Sequence, residues 1–404
     1  MERDVAGPSG PACAARKEAC PGRQFMNTTI TDVRIAVHRS EQPFLPDKPG
    51  SGTFGVLTIA TDGGVEGHTF FSGAGSVPDH AARVLAENVR GQLIGLDALD
   101  TGIVWQRLWR QERTLGSVVI GAVDVALWDI VGKVAGLPVH RMLGTAKTSL
   151  PVYISSWVHE RPEDYAEEAL HYRELGFTGY KLHPPVQGRT MYGRDVPVEA
   201  DLAAYRAVRE AVGPDMALMA DSPFVYSFEE ALRVGRLLED LEYTWFEDPL
   251  PPDDIAGYER LRRHLRIPLL ATEMTPGGPY NYAQWVTHQA TDYLRGDVFF
   301  KGGITALTKI ARTAEVFRLG FELHDGFNAI GNVAGAHVAF SAPNAGWFEV
   351  LTVQPTGVYG LDNFSYGLTE PMRIENGALH APTGPGLGQP IDWERINAGI
   401  VATY

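Results

Sequence analysis

The sequence predicts an α+β domain followed by a closed (β/α)8 barrel. Three observations carry this. The 404 residues are too many for one hydrophobic core and fit about two domains. The N-terminal part runs from strand-like alternation into helical periodicity, which reads as α+β. Beyond Leu150, eight short apolar runs alternate with amphipathic stretches, the pattern of a barrel built from strand–helix units.

Residues 1–25, "MERDVAGPSGPACAARKEACPGRQF", are rich in Gly, Pro, Ala and charge and have no apolar h-region. They read as a disordered leader rather than a signal peptide, with Met26 as a second candidate start. Both cysteines, Cys13 and Cys20, lie there without metal-ligand spacing, so the default is a cytoplasmic enzyme without disulfides. Residues 26–145 form the first domain. "ITDVRIAVHR" and "TFGVLTIATDGGVEGHTFF" alternate as strands around the loop "SEQPFLPDKPGSG", and "TDGGVEG" is a hairpin signal. Helical periodicity follows from Pro78, and "SVVIGAVDVALWDIVGKVAG" is an apolar helix closed by Gly136 and Pro138.

Residues 146–358 carry the barrel. Its strands read "LPVYISS", "GYKLH", "ALMAD", "YTWFED", "LLATE", "YLRGDVFF", "GFELHD" and "GWFEVL". Five amphipathic stretches between them, such as "FEEALRVGRLLEDL", read as helices. Residues 359–404 are Gly/Pro-rich and too short for a domain. They are expected to return to the first one.

Composition narrows the function. Hydrophobic content of 44% and charged content of 21% mark a globular chain. A formal net charge of −14 argues against nucleic acid and anionic membranes as partners. No apolar run approaches the roughly 20 residues of a membrane helix. An anionic small molecule stays possible, because a bound cation can reverse the local charge.

Chemistry in such a barrel sits at the C-terminal strand ends. There the second strand presents Lys181 and His183, on one face by alternation. The third presents Asp221, the fourth Glu247, the fifth Glu273, the sixth Asp297, the seventh His324 and the eighth Glu349. One such carboxylate alone reads as a helix cap. A ring of them at one height would repel unless neutralised, and the hard oxygens of Asp221, Glu247 and Glu273 suit Mg2+.

The set "MADSP", "WFEDPLPP", "LLATE", "RGDVFFKGGIT", "ELHD" and "WFEVL" resembles the enolase superfamily, specifically the mandelate racemase-like group of the mandelate racemase / muconate lactonizing enzyme family. "GAVDVALWDIVGKVAGLPVHRMLG" resembles the helix that leads from cap to barrel there. The resemblance implies an α+β capping domain on a modified (β/α)8 TIM-like barrel. It also implies abstraction of a proton α to a carboxylate, through an enolate stabilised by Mg2+. It implies Asp221, Glu247 and Glu273 as metal ligands and His324–Asp297 as a catalytic dyad. Glu349 corresponds to an acid that hydrogen-bonds the substrate carboxylate, and donation would require its pKa to be raised.

The family commonly ends its second strand in Lys-x-Lys, whereas this chain has Lys181-Leu182-His183. By position His183 is the second base and Lys181 the electrostatic partner, and the reverse assignment stays open. Two bases flanking one carbon permit dehydration of a sugar acid to a 2-keto-3-deoxy acid, the leading expectation. Racemisation, epimerisation and cycloisomerisation of a hydroxy acid or sugar lactone are the alternatives, and a non-catalytic barrel protein is a remote one. Phe44, Trp157, Lys301 and Asn328 are candidate substrate contacts. The expected partner is a small-molecule carboxylate, and the expected assembly a homo-oligomer. The histidines outside the pattern (His38, His68, His140, His159 and His380) read as surface residues.

Overall fold

The computed structural model describes residues 27–41, 44, 52–72, 78–189, 193, 195–325, 328–352 and 364–404. The expected leader, residues 1–25 with both cysteines, and most of residues 42–51 and 73–77 lie outside them.

The first sheet is antiparallel. Its order is β14 (Ile400–Thr403), β1 (Ile30–Arg39), β2 (Thr53–Thr61), β3 (Glu66–Phe71). Val33, Ile35 and Val37 of β1 alternate inward, as period 2 requires. The β2–β3 turn places Gly64 at φ 77, a conformation that glycine adopts without strain. The helix Ser117–Ala135 packs on β3. Gly67 permits that contact, since a Cβ there would lie 2.0 Å from the Ala126 carbonyl oxygen. The helix ends at Gly136 in the left-handed conformation, a common helix stop.

The barrel strands are β4 (Ser149–Ser155), β5 (Gly179–Leu182), β6 (Ala217–Asp221), β7 (Trp245–Glu247), β8 (Leu269–Ala271), β9 (Tyr293–Gly296), β10 (Gly320–Leu323) and β11 (Phe348–Leu351). From β4 to β10 each pairs in parallel with the next, and β11 pairs in parallel with β4. A parallel bridge between Phe321 and Ala345 closes the ring. All eight expected strands are present. Pro184 and Pro185 end β5, since neither can donate to a ladder. At the N-terminal end of β4 a small ribbon is added by β12 (Ile374–Glu375) and β13 (Ala378–His380). Inside the barrel, Tyr153, Met219, Trp245 and Leu270 form an apolar plug, so the barrel is packed below its mouth.

Two barrel helices go beyond the sequence reading. Gly278–Thr287 opens on Gly-Pro, a breaker signal that masks the helix behind it. Ala329–Ser341 is buried on every side, so its small apolar residues show no amphipathic period. The two domains meet over residues 298–305. Trp105 Nε1 donates to the Gly302 carbonyl at 2.7 Å. Asp124 accepts from the Thr305 amide at 2.8 Å and from its hydroxyl at 2.6 Å.

The expectation of surface histidines fails for His38 and His140, which are buried. Both ring nitrogens of each are satisfied. His38 meets the Ile396 carbonyl and the Tyr366 hydroxyl, and His140 meets the Thr145 hydroxyl and the Pro382 carbonyl. Among the described residues, no helix is long and apolar enough to cross a membrane.

Candidate active site

The mouth is built from strand ends. Lys181, Asp221, Glu247 and Glu349 lie on β5, β6, β7 and β11, and His183, Asp297 and His324 follow β5, β9 and β10 directly. Glu273 is two residues past β8. The residue between them, Thr272, has φ 92, and Asp248 just after Glu247 has φ 40. Left-handed backbone at a β-branched residue is costly and persists where the surroundings over-determine it. Thr272 is held by Arg295, whose amide donates to its hydroxyl at 2.9 Å and whose carbonyl accepts from that hydroxyl at 3.1 Å.

Lys181 Nζ lies 2.8 Å from Asp221 Oδ2, 3.1 Å from Glu247 Oε2 and 2.8 Å from Glu349 Oε1. Burial and Arg295 pull its pKa down, but these three carboxylates outweigh both and hold it well above the ordinary range. His183 is oriented by Ser156. Its amide donates to the Ser156 hydroxyl at 3.1 Å, and its Nδ1 lies 2.6 Å from the Ser156 carbonyl. A carbonyl only accepts, so Nδ1 carries a proton and Nε2 is the exchangeable nitrogen. Nε2 faces Asp221 Oδ2 at 3.1 Å.

Across the mouth, His324 Nδ1 lies 2.9 Å from Asp297 Oδ2, and its Nε2 lies 3.4 Å from Glu273 Oε1. Burial lowers the pKa of His324, but Glu273, Asp297 and Glu349 together raise it to about 9. The other Asp297 oxygen accepts from the Phe299 and Phe300 amides, both at 2.7 Å. One carboxylate thereby orients the imidazole and the turn beside it. That turn lays the Phe300 ring near-parallel to His324, with centroids 5.9 Å apart, and leaves Phe300 39% exposed.

Glu349 departs from expectation. Burial pushes its pKa up, but Arg295, Lys181 and His324 overcome that and hold it well below the carboxylate range. Its oxygens accept from Arg295 Nη2 at 2.5 Å and from the Asp325 amide at 3.2 Å, and Lys181 sits on the other side. Its cationic neighbours therefore move its pKa in the opposite direction from the rise that donation would require.

A cation fits the carboxylates. Glu247, Asp248 and Glu273 each offer an oxygen within 4.8 Å of the others. Burial first, then Glu273, Glu247 and Asp221, push Asp248 well above its ordinary pKa. Glu247 Oε1 is buried and accepts no hydrogen bond. Arg295 Nε lies 2.5 Å from it, but its N–H is directed at Glu273 Oε2. Repelling hard oxygens with an unused lone pair match the preferences of Mg2+. Asp248, which the sequence pattern did not single out, joins this tight group. Asp221, expected in it, is held by Lys181 and His183.

The other candidates divide. Trp157 lies near His183, with ring centroids 6.3 Å apart. Lys301 is buried, and its Nζ donates to the Thr275 carbonyl at 2.8 Å. Asn328 caps the helix Ala329–Ser341 by accepting from the Gly331 amide at 2.6 Å, and its Nδ2 donates to the Ser72 carbonyl at 3.1 Å. Phe44 packs against Phe54 and Tyr366 in the core of the first domain. Arg295, absent from the candidates drawn from the sequence, lies fully buried among the carboxylates.

Fold and site together define a barrel enzyme with a carboxylate cluster and two histidines at its mouth. Residues 40–144 match the mandelate racemase / muconate lactonizing enzyme N-terminal domain, and residues 164–395 match the enolase C-terminal domain-like family. The chain belongs to this family of the enolase superfamily. It is 32% identical to a D-mannonate dehydratase of Caulobacter vibrioides over 339 residues, 76% of this chain and 82% of that one. It is 29% identical to a D-galactarolactone cycloisomerase of Agrobacterium fabrum over 389 residues, 92% of this chain and 98% of that one. Among solved structures it resembles D-glucarate dehydratase from Agrobacterium tumefaciens complexed with magnesium. The TM-score is 0.83 at 31% identity, covering 93% of this chain and 100% of that one.

Proposed function

We propose that the protein dehydrates a sugar acid, an aldonate or aldarate, to a 2-keto-3-deoxy acid in a Mg2+-dependent reaction. The observation that carries this reading is the pair of oriented imidazoles. His183, held by Ser156, faces Asp221, and His324, held by Asp297, faces Glu273, so each meets a different carboxylate of the expected metal set. Relatives named as mannonate and glucarate dehydratases support the substrate class.

Asp221, Glu247 and Glu273 would hold Mg2+, with Asp248 adjoining. When bound, the ion supplies Lewis-acid stabilisation of charge that builds on the substrate carboxylate. In its neutral form, with Nδ1 protonated towards the Ser156 carbonyl, His183 takes the α-proton on Nε2, and the bonding pair moves into the carboxylate to give an enolate. Lys181, kept protonated by its carboxylate neighbours, offsets that charge and is a poor base. His324 then passes its Nε2 proton to the β-hydroxyl. The C–O bond breaks, water leaves, and the resulting enol tautomerises to the keto acid.

The test is a panel of aldonates and aldarates with MgCl2 or with EDTA, read by a carbonyl assay for 2-keto product. Product in the magnesium arm alone is expected. Silence across the panel would overturn the reading. The nearly full-length similarity to a cycloisomerase favours a second reading, lactone isomerisation. Its sign would be α-hydrogen exchange and isomer formation without loss of water.

A further inference from the structure

The proposed chemistry assigns nothing to Arg295, yet this side chain ties together more of the mouth than any catalytic candidate. It sits on β9 with 0% exposure. Nε donates to Glu273 Oε2 at 3.1 Å and lies against Glu247 Oε1 at 2.5 Å. Nη2 donates to Glu349 Oε2 at 2.5 Å. Nη1 donates to the Leu323 carbonyl at 2.7 Å and to the Tyr153 hydroxyl at 3.1 Å. Its contacts therefore span β4, β7, β10, β11 and the residues after β8.

We propose that Arg295 is a resident counter-cation, a positioning residue that holds Glu247, Glu273 and Glu349 in place before a divalent cation enters. This rests on the reading that the carboxylates take Mg2+. A guanidinium does not shed its proton in a protein, so its charge is permanent. Its planar fork reaches carboxylates on separate strands, which the point charge of a lysine cannot do. Carboxylates that close together, cut off from water, repel strongly when no cation stands among them. With Arg295 present, the mouth can fold metal-free with its ligands already aimed. Without it, Lys181 would still face Glu247 and Glu349 and His324 would face Glu273, but no side chain would bridge the three carboxylates, and folding of the mouth would come to depend on metal.

Thermal unfolding of wild type, Arg295→Met, Arg295→Lys and Tyr153→Phe, each in EDTA and in saturating MgCl2, tests this. Wild type should be folded in EDTA and gain a few degrees with magnesium. Arg295→Met should lose about 10 °C in EDTA. Magnesium should return roughly half of that loss, so its stabilising shift is about twice the wild-type shift. Arg295→Lys should fall between the two. Tyr153→Phe removes a neutral contact and should cost the same in both buffers. If Arg295→Met cannot be obtained folded, Arg295→Lys carries the same comparison. A wild type that ignores magnesium would overturn the metal reading and this proposal with it. A wild type that responds, with an arginine-variant deficit equal in both buffers, would overturn the proposal alone.

Discussion

Several ionisable side chains in the mouth have their pKa moved by neighbours from other strands. Lys181 stays charged because three carboxylates surround it, and Glu349 stays ionised because Arg295 and Lys181 flank it. His324→Asn keeps a polar side chain but cannot exchange a proton near neutral pH. It should lower turnover by about a thousandfold. Calorimetry should still show Mg2+ binding, since His324 is not among the carboxylate ligands. Asp297→Asn should lose activity similarly, because an amide nitrogen facing Nδ1 would select the wrong tautomer. These positions were partly legible in the sequence. A polar residue that ends a short apolar strand before Pro or Gly is a readable signal, and it pointed to the residues on β5 to β11. Asp248 and Arg295 were harder. A charge inside a strand reads as surface when the sequence hides which neighbours would compensate it.

At the scale of elements, the strands were the legible part, since each is short, apolar and bounded by breakers. The helices Gly278–Thr287 and Ala329–Ser341 were not, one opening on breakers and the other lacking a polar face. The contact between domains was also hidden, because it pairs residues about 180 positions apart. Asp124 of the helix Ser117–Ala135 caps the helix Ile304–Val316 through Thr305. Burial pushes the Asp124 pKa up to about 7, so its acceptor oxygens matter more than its charge. Asp124→Asn should stay close to wild type in urea unfolding. Asp124→Ala leaves the Thr305 amide unpaired and should cost about 2 kcal/mol.

Across the whole molecule, the C-terminal strand β14 closes the first sheet, and residues 298–305 join that domain to the barrel beside Asp297. A second joint holds two buried histidines. The His140 amide donates to His337 Nδ1 at 3.0 Å, and His337 Nε2 meets the Leu387 carbonyl at 3.0 Å. Burial lowers His337 to about 3. Its folded pKa lies below the ordinary 6.5, so the unfolded chain takes the proton first. Its stabilising contribution is therefore intact above pH 6.5 and is lost as pH falls from 6.5 towards 3. The loss should be about 1.4 kcal/mol per pH unit from this group, and His337→Gln should flatten that slope in acid-unfolding curves.

The central claim is that the barrel brings two histidines to opposite sides of one carbon, His183 to take the α-proton and His324 to protonate the leaving group. The most direct measurement is proton NMR of a sugar-acid substrate in D2O with MgCl2, comparing wild type, His183→Asn and His324→Asn. The account predicts that His324→Asn exchanges the α-hydrogen for deuterium without losing water, and that His183→Asn does neither. Exchange that survives in His183→Asn and vanishes in His324→Asn would contradict it.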